Sequence, residues 1–367
     1  MRKLCFYRII VQIVAILQFY HYICTRIIIN LSNMKKIFQW ALVAFFSIYS
    51  MNMFAAGTTI NYRLASADET RKLMQANSEY YNKMNQMDID WRVRKDGSTL
   101  EELKTMAYKQ TRDWTEAEHE FMKTVVGIIT DSLNSIGCQL PMPPEIVFAK
   151  TTQIEEGGSG GYTIKNIIFL GEMSIGMCMP NADRTAEENK LTLMWFTELV
   201  THELFHCLSR YSPAFRQKMY EQIGFTVMDQ DITFPDDIRE RLVTNPDVEH
   251  IDNYATFTID GEKRRCELIV LYDKTWAKAS AEKGDKIAFF EYIRPALVPL
   301  DDMTKVYDTN EINDFWETVG RNTSYVIAPE ECIADNFSYA VIRGTNPASP
   351  YKTPELIKKI ITALKQL

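Results

Sequence analysis

The run from Thr185 to Arg210 reads TAEENKLTLMWFTELVTHELFHCLSR and predicts one long helix. Thr185 and Glu188 have the spacing of a capping box, and no Gly or Pro interrupts the run. A mainly apolar set of positions recurs at helical spacing, and we expect it to face the protein interior: Leu191, Met194, Trp195, Glu198, Leu199, His202, Phe205 and His206.

The end of this helix carries the pentapeptide His202-Glu203-Leu204-Phe205-His206, which contains two of the five histidines of the chain. Residues four apart share one helix face, so the two imidazoles can point at one position, with Glu203 beside it. Burying these groups without a partner is costly, and a metal ion would supply one. The alternative is a hydrogen-bonded pair of core histidines. The HExxH pattern is typical of zinc hydrolases, in which the glutamate acts as general base.

A catalytic zinc usually has three protein ligands and one open position. The residues after His206 contain neither Gly nor His up to Ser212, which excludes the extended metzincin motif. Further along the chain, Pro329 can begin a helix on which Glu331 and Asp335 share a face. One carboxylate can then bind metal while the other orients a ligand histidine. Glu330 is the rival of Glu331 for the ligand role.

The two motifs together resemble those of the gluzincins, the thermolysin-like clan of HExxH metallopeptidases. The resemblance implies that His202, His206 and Glu331 bind Zn²⁺ and that Asp335 orients a ligand histidine. It implies that Glu203 is the general base toward a zinc-activated water. It also implies an α+β, zincin-like fold, in which a small mixed sheet accompanies the active-site helix and a second helix carries the Glu ligand.

Members of this clan commonly use a Tyr or His to donate a hydrogen bond to the oxyanion. The candidates here are Tyr325, Tyr254 and His250. Tyr325 lies six residues before Glu331, whereas His250 and Tyr254 follow the turn at Asn245-Pro246-Asp247.

A looser resemblance covers residues 141–337. It is to a group of secreted bacterial HExxH proteins that has no assigned substrate. The similar segments are Phe148-Ala149-Lys150-Thr151, Gly161-Tyr162-Thr163, Thr244-Asn245-Pro246-Asp247 and Gly320-Arg321-Asn322-Thr323.

The remaining pattern predicts helices and short strands in alternation. We expect helices at 64–88, from Thr115 to about Ser135, at 312–319 and at 353–364. We expect strands at 146–148, 162–170, 267–272 and 288–293. In zincins the strand before the active-site helix often forms the sheet edge that pairs with an extended substrate, and the resemblance implies this role for the 162–170 strand.

The first 56 residues hold six Lys and Arg and no Asp or Glu. Met34-Lys35-Lys36 followed by the apolar run 37–54 predicts a signal peptide over residues 34–56. Residues 1–33 would then be a mis-assigned upstream extension, and residues 57–367 a zincin-like catalytic domain. The expected location is periplasmic or secreted. In the alternative, Ile37–Ala56 stays uncleaved and anchors the chain in a membrane.

Overall the chain carries a formal charge of −7 and has no basic run, which argues against a nucleic-acid partner. Five of its seven cysteines follow residue 56, without a Cys-x-x-Cys spacing, so at least one is unpaired. We expect an exported zinc metallopeptidase that acts on peptides or proteins; the sequence leaves its oligomeric state open. The alternatives are a zinc-binding scaffold without proteolytic activity and a zinc amide hydrolase acting on cell-wall or glycan substrates.

Overall fold

Helices and strands are interspersed along the chain in an α+β arrangement, in a computed structural model that describes residues 57–284, 287–346 and 350–367. The helices are α1 (Ala67–Ala76), α2 (Glu79–Asn82), α3 (Gln86–Val93), α4 (Leu100–Tyr108), α5 (Glu116–Ile136), α6 (Glu172–Cys178), α7 (Ala186–Tyr211), α8 (Pro213–Tyr220), α9 (Asp236–Arg239), α10 (Trp276–Lys283), α11 (Phe315–Val319), α12 (Pro329–Ile342) and α13 (Pro354–Leu364). The strands are β1 (Tyr62–Leu64), β2 (Thr111–Arg112), β3 (Ile146–Thr151), β4 (Gly161–Ile164), β5 (Ile167–Gly171), β6 (Thr226–Val227), β7 (Asn253–Ile259), β8 (Glu262–Tyr272), β9 (Ile293–Pro299) and β10 (Tyr307–Asp308).

Two sheets organise these strands. The first is mixed, in the order β1-β3-β5-β4, with parallel pairs β1–β3 and β3–β5, an antiparallel pair β4–β5, and β2 antiparallel to β3. The second is an antiparallel meander in the order β10-β9-β8-β7-β6. Thr58–Leu367 form one compact unit, and α7 packs between the first sheet and α12.

The two predicted capping boxes are confirmed. Thr115 and Thr185 each accept a hydrogen bond from the backbone N–H three residues on, and the Glu at that position bonds back. The second half of α7, from Phe196 to Ser209, is almost wholly buried. Its first half is not, because Leu191 and Trp195 are 51% and 48% exposed. The inward stripe predicted for α7 is therefore wrong for these two positions.

The predicted leading helix at 64–88 is three short helices. The side chain of Asn77 bonds the carbonyl of Leu73 and ends α1. Asn85 then forms a capping box with Asp88 and begins α3. These local side-chain bonds compete with a continuous helix.

The predicted strand at 162–170 is a hairpin of β4 and β5, because Lys165 adopts a left-handed φ of 57° in a two-residue turn. Residues 289–292 form a 3₁₀ turn instead of a strand, and β9 begins at Ile293. The prolines in β9 make its sequence unlike that of a strand. They are accommodated because β10 pairs only with Ala296 and Leu297 of β9.

The predictions for residues 1–56, including the signal peptide, concern a segment outside the described residues. Within the described part of the chain, no helix combines the length and apolar character needed to cross a membrane. The five cysteines in this part are all buried thiols without disulfide bonds: Cys138, Cys178, Cys207, Cys266 and Cys332.

Candidate metal centre

Helices α7 and α12 bring the two sequence motifs face to face. The rings of Phe205 on α7 and Phe337 on α12 pack at a centroid distance of 5.4 Å and fix the pairing of the helices. Oε2 of Glu331 then lies 2.9 Å from Nε2 of His202 and 3.6 Å from Nε2 of His206. One ligand atom from each of these three residues lies within 4.8 Å of the other two.

Each imidazole is oriented by a second carboxylate through its other nitrogen. Nδ1 of His202 lies 2.7 Å from Oδ1 of Asp335, as the spacing of Glu331 and Asp335 predicted. Nδ1 of His206 lies 3.1 Å from Oε1 of Glu330. Both contacts leave the Nε2 atoms pointing at Glu331. Glu330 therefore orients His206, and it is Glu331 that faces both Nε2 atoms.

Behind His206, Glu330 is anchored by a polar network that the sequence did not suggest. The Ser209 hydroxyl donates to its Oε1, and the Tyr220 hydroxyl donates to its Oε2 at 2.6 Å. The guanidinium of Arg216 lies 3.9 Å from the same carboxylate and makes a two-point ion pair with Asp252. Both oxygens of the Glu330 carboxylate therefore have hydrogen-bond partners, which hold it in place beside His206.

The side chain of Glu203 is fixed against the edge strand β4. Thr163 Oγ1 donates to Oε2 of Glu203 at 2.8 Å. The other oxygen, Oε1, lies beside Gly161, where an added Cβ would come within 3.0 Å of it. Glycine at position 161 therefore leaves room for the Glu203 carboxylate.

The loop of Thr244, Asn245, Pro246 and Asp247, here the 244–247 loop, connects the elements around the site. Asn245 Nδ2 donates to Oε1 of Glu331 at 2.5 Å. Asp247 Oδ1 accepts the backbone N–H of Thr163 at 2.6 Å, and Arg210 on α7 donates to the carbonyl of Pro246 at 2.7 Å. The loop thereby touches α12, β4 and α7.

The site is rich in buried negative charge, and this charge sets its pKa values. Burial by itself lowers the pKa of both imidazoles. Hydrogen bonds to Asp335 and Glu331 nevertheless raise the pKa of His202 well above its ordinary value. For His206, the nearby charge of Asp247 and the hydrogen bond to Glu330 raise the pKa to about 10. The pocket therefore favours added positive charge, which protons or a metal cation could supply.

The three donor atoms lie close enough together that they could hold one metal ion. Among the described residues, Nε2 of His206 is buried and has no hydrogen-bond partner, so a ligand at this position would satisfy it. A tetrahedral zinc with bonds of about 2.1 Å separates its ligand atoms by about 3.4 Å. The two Nε2–Oε2 distances, 2.9 and 3.6 Å, lie on either side of that value. Two imidazoles and one carboxylate are also a common ligand set for catalytic zinc.

An open cleft of about 610 Å³ gives access to this centre. Its walls include the Gly158–Gly161 segment, Trp195 and Leu199 of α7, and Tyr325. The ring of Tyr325 lies 6.2 Å from that of His202, centroid to centroid. Burial, and then the charge of Glu331, raises the pKa of this tyrosine well above its usual value, so it stays protonated and able to donate.

The other two oxyanion candidates are not brought to the cleft. His250 is exposed and bonds Asp231 at 3.2 Å, in a separate surface cavity. Tyr254 lies in β7, with the guanidinium of Arg265 5.2 Å above its ring. Of the three candidates, only Tyr325 faces the proposed metal ligands.

Searches for similar proteins find no match: no family model fits the sequence, and no curated protein or solved structure resembles it significantly.

Proposed function

We propose that this protein is a zinc-dependent metallopeptidase with a zincin-like fold. The observation that carries the proposal is the convergence of His202, His206 and Glu331 beside an open cleft, which His202, Glu331 and Glu203 line. In that cleft, zinc would supply a Lewis acid that polarises a scissile carbonyl and activates water.

The base of the reaction would be Glu203. Burial raises the pKa of its carboxyl group, which brings it nearer to the pH at which a general base works best. Thr163 holds Oε2, which leaves Oε1 beside Gly161 to accept the proton of the attacking water. The same oxygen would deliver that proton to the amine nitrogen as the carbon–nitrogen bond breaks. The hydroxyl of Tyr325 would donate a hydrogen bond to the developing oxyanion.

The free edge of β4 favours an extended peptide as substrate. Ile164 and Ile167 flank the hairpin turn, so the backbone groups of Thr163 and Gly161 point away from β5. The N–H of Thr163 is already bonded to Asp247, whereas Gly161 faces the cleft next to Glu203. A peptide strand could pair with Gly161 and reach the metal centre.

Two measurements on the purified protein test the proposal. It should bind about one equivalent of zinc per chain and release peptides from a protein or peptide library. Glu203→Gln should keep the zinc and lose turnover, while Glu262→Gln, an exposed position on β8, should behave like the wild type. Full activity of Glu203→Gln would refute the assignment of the base.

The alternatives correspond to other outcomes of the same experiment. Zinc binding without turnover of any library would indicate a binding protein, and turnover only of peptidoglycan or glycan amides would indicate a different hydrolase. We further propose that the protein acts outside the cytoplasm, on the basis of the signal-like segment at 34–56, and that nucleic acid is not a partner.

A further inference from the structure

A small cavity adjoins the cleft that gives access to the metal centre. It has a volume of about 40 Å³, against about 610 Å³ for the cleft, and is here called the side cavity. The two spaces share walls, because both are lined by Ser159, Gly161, Asp247, Phe290 and Tyr325. A peptide that lies along these shared residues therefore has both spaces within reach.

The size of the side cavity limits what it can hold. Its remaining walls include Val243, Val270 and Ile293, each less than a tenth exposed. Arg92 and Glu156 also line it, but they are paired with each other at 2.9 Å. The volume is little more than the ~30 Å³ share of one water molecule in the liquid. A methyl or hydroxymethyl group fits such a space, whereas the four carbon atoms of a leucine side chain do not.

The side chains of β4 alternate between the cleft and the side cavity. Thr163 donates to Glu203 of α7, and a Cβ added to Gly161 would also point at Glu203. Tyr162, between them, points to the opposite face of the sheet, where its hydroxyl donates to Glu155 at 3.1 Å. Tyr162 also lines the side cavity. The cleft therefore lies on the α7 face of β4, and the side cavity extends to the opposite face.

A substrate strand on the free edge of β4 would follow the same alternation. Residues directly opposite each other in paired strands have their side chains on the same face. The substrate residue opposite Gly161 thus points its side chain to the α7 face and into the cleft. Its neighbours in the substrate point to the other face. A neighbour that lies over the side cavity has room only for a small side chain.

We infer that the side cavity is a specificity subsite that accepts glycine, alanine or serine at one substrate position within two residues of the scissile bond. The inference rests on the proposed peptidase function and adds a substrate class to it. That class consists of extended peptides in which this small residue is followed or preceded by one whose side chain faces the open cleft. Phe290 restricts the size of the subsite, because its ring forms a wall of both spaces and is 41% exposed.

Cleavage of a proteome-derived peptide library by the zinc-loaded protein, read by mass spectrometry, tests the inference. One position within two residues of the cleaved bond should be enriched in small residues. Two synthetic peptides that differ only there, alanine against leucine, should differ in kcat/KM by about tenfold or more, because extra methylene groups do not fit a packed site. Phe290→Ala should lower this ratio at least fivefold, since loss of the ring opens the side cavity into the cleft.

Two further variants complete the test. Ile327→Ala removes atoms from another wall of the side cavity and should also lower the ratio. Leu191→Ala, at a 51% exposed position on α7, should leave it unchanged. Zinc content and thermal midpoint show whether each variant is folded.

The outcomes separate the subsite from the proposed function. Cleavage without a preference for small residues at any of these positions overturns the inference alone. An unchanged ratio in both Phe290→Ala and Ile327→Ala does the same. Absence of cleavage at any sequence overturns the proposed function, and the subsite with it.

Discussion

Replacing Arg92 should destabilise the protein more than replacing any exposed arginine. Its side chain is 2% exposed and lies between two buried carboxylates, 3.1 Å from Asp88 and 2.9 Å from Glu156. It also donates to the carbonyl of Thr244 at 2.7 Å, at the start of the 244–247 loop. Arg92→Met keeps most of the apolar stem and removes the charge.

The magnitude follows from what remains behind. Both carboxylates stay buried, with side-chain exposures of 0% for Asp88 and 4% for Glu156, and neither keeps a cationic partner among the described residues. Removing one partner of a buried ion pair typically costs about 3–5 kcal/mol. Because whole domains are stable by only about 5–15 kcal/mol, the free energy of unfolding should fall by about a fifth or more.

Urea or thermal unfolding of Arg92→Met against the wild type measures this loss. Arg71→Met is the matched control, because Arg71 pairs with Asp68 at the surface and should cost less than about 1 kcal/mol. Adding Asp88→Asn and Glu156→Gln to Arg92→Met should recover part of the loss, since no unpaired charge is then buried. A loss below about 1 kcal/mol for Arg92→Met, or no recovery in the triple variant, would refute the reasoning.

Three further outcomes are expected. Burial raises the pKa of Glu155 to about 7. The contribution of this residue to the free energy of unfolding should therefore decline as the pH rises from about 4.5 to 7. In unfolding measurements over this pH range, Glu155→Gln should remove about 3 kcal/mol of the pH dependence. Thr163→Val should leave the zinc content unchanged and lower kcat/KM about tenfold or more, because a hydrogen bond to the charged Glu203 is worth about 1.5–3 kcal/mol; unchanged kinetics would contradict this role. Asn245→Ala, which removes the donor to Glu331, should weaken zinc binding about 10–100-fold in competition with a chelator, and an unaltered affinity would count against it.

The parts of the fold that follow local rules were predictable from the sequence. Capping boxes at Thr115 and Thr185 and the proline at 329 mark helix starts correctly, because caps act within one turn. The prediction of a single helix at 64–88 was wrong because Asn77 and Asn85 make local side-chain hydrogen bonds that interrupt a helix-prone run. The strand β9 was missed because it contains prolines, which are rare within strands. They are tolerated here because the neighbouring strand β10 is short.

The candidate site, too, was predictable only in part. Glu331 and Asp335 are spaced so that they lie on one helix face, and from this spacing a contact between Asp335 and a ligand histidine was expected; Asp335 contacts His202. The roles of Thr163, Asn245 and Asp247 depend on distant segments that meet only in the folded chain. The sequence indicated them only in that they belong to the short segments around Gly161 and Thr244 that resemble other proteins. That resemblance assigned no role to any single residue.

The 244–247 loop has a consequence for attempts to transplant this site into another scaffold. Copying the two motif helices alone would reproduce the spacing of the three metal ligands but not the amide that holds Glu331 or the carboxylate that holds the edge strand. In such a graft, Glu331 would be free to change rotamer and the edge strand could drift from Glu203. A portable unit would therefore consist of both helices, the β4–β5 hairpin and these four loop residues together.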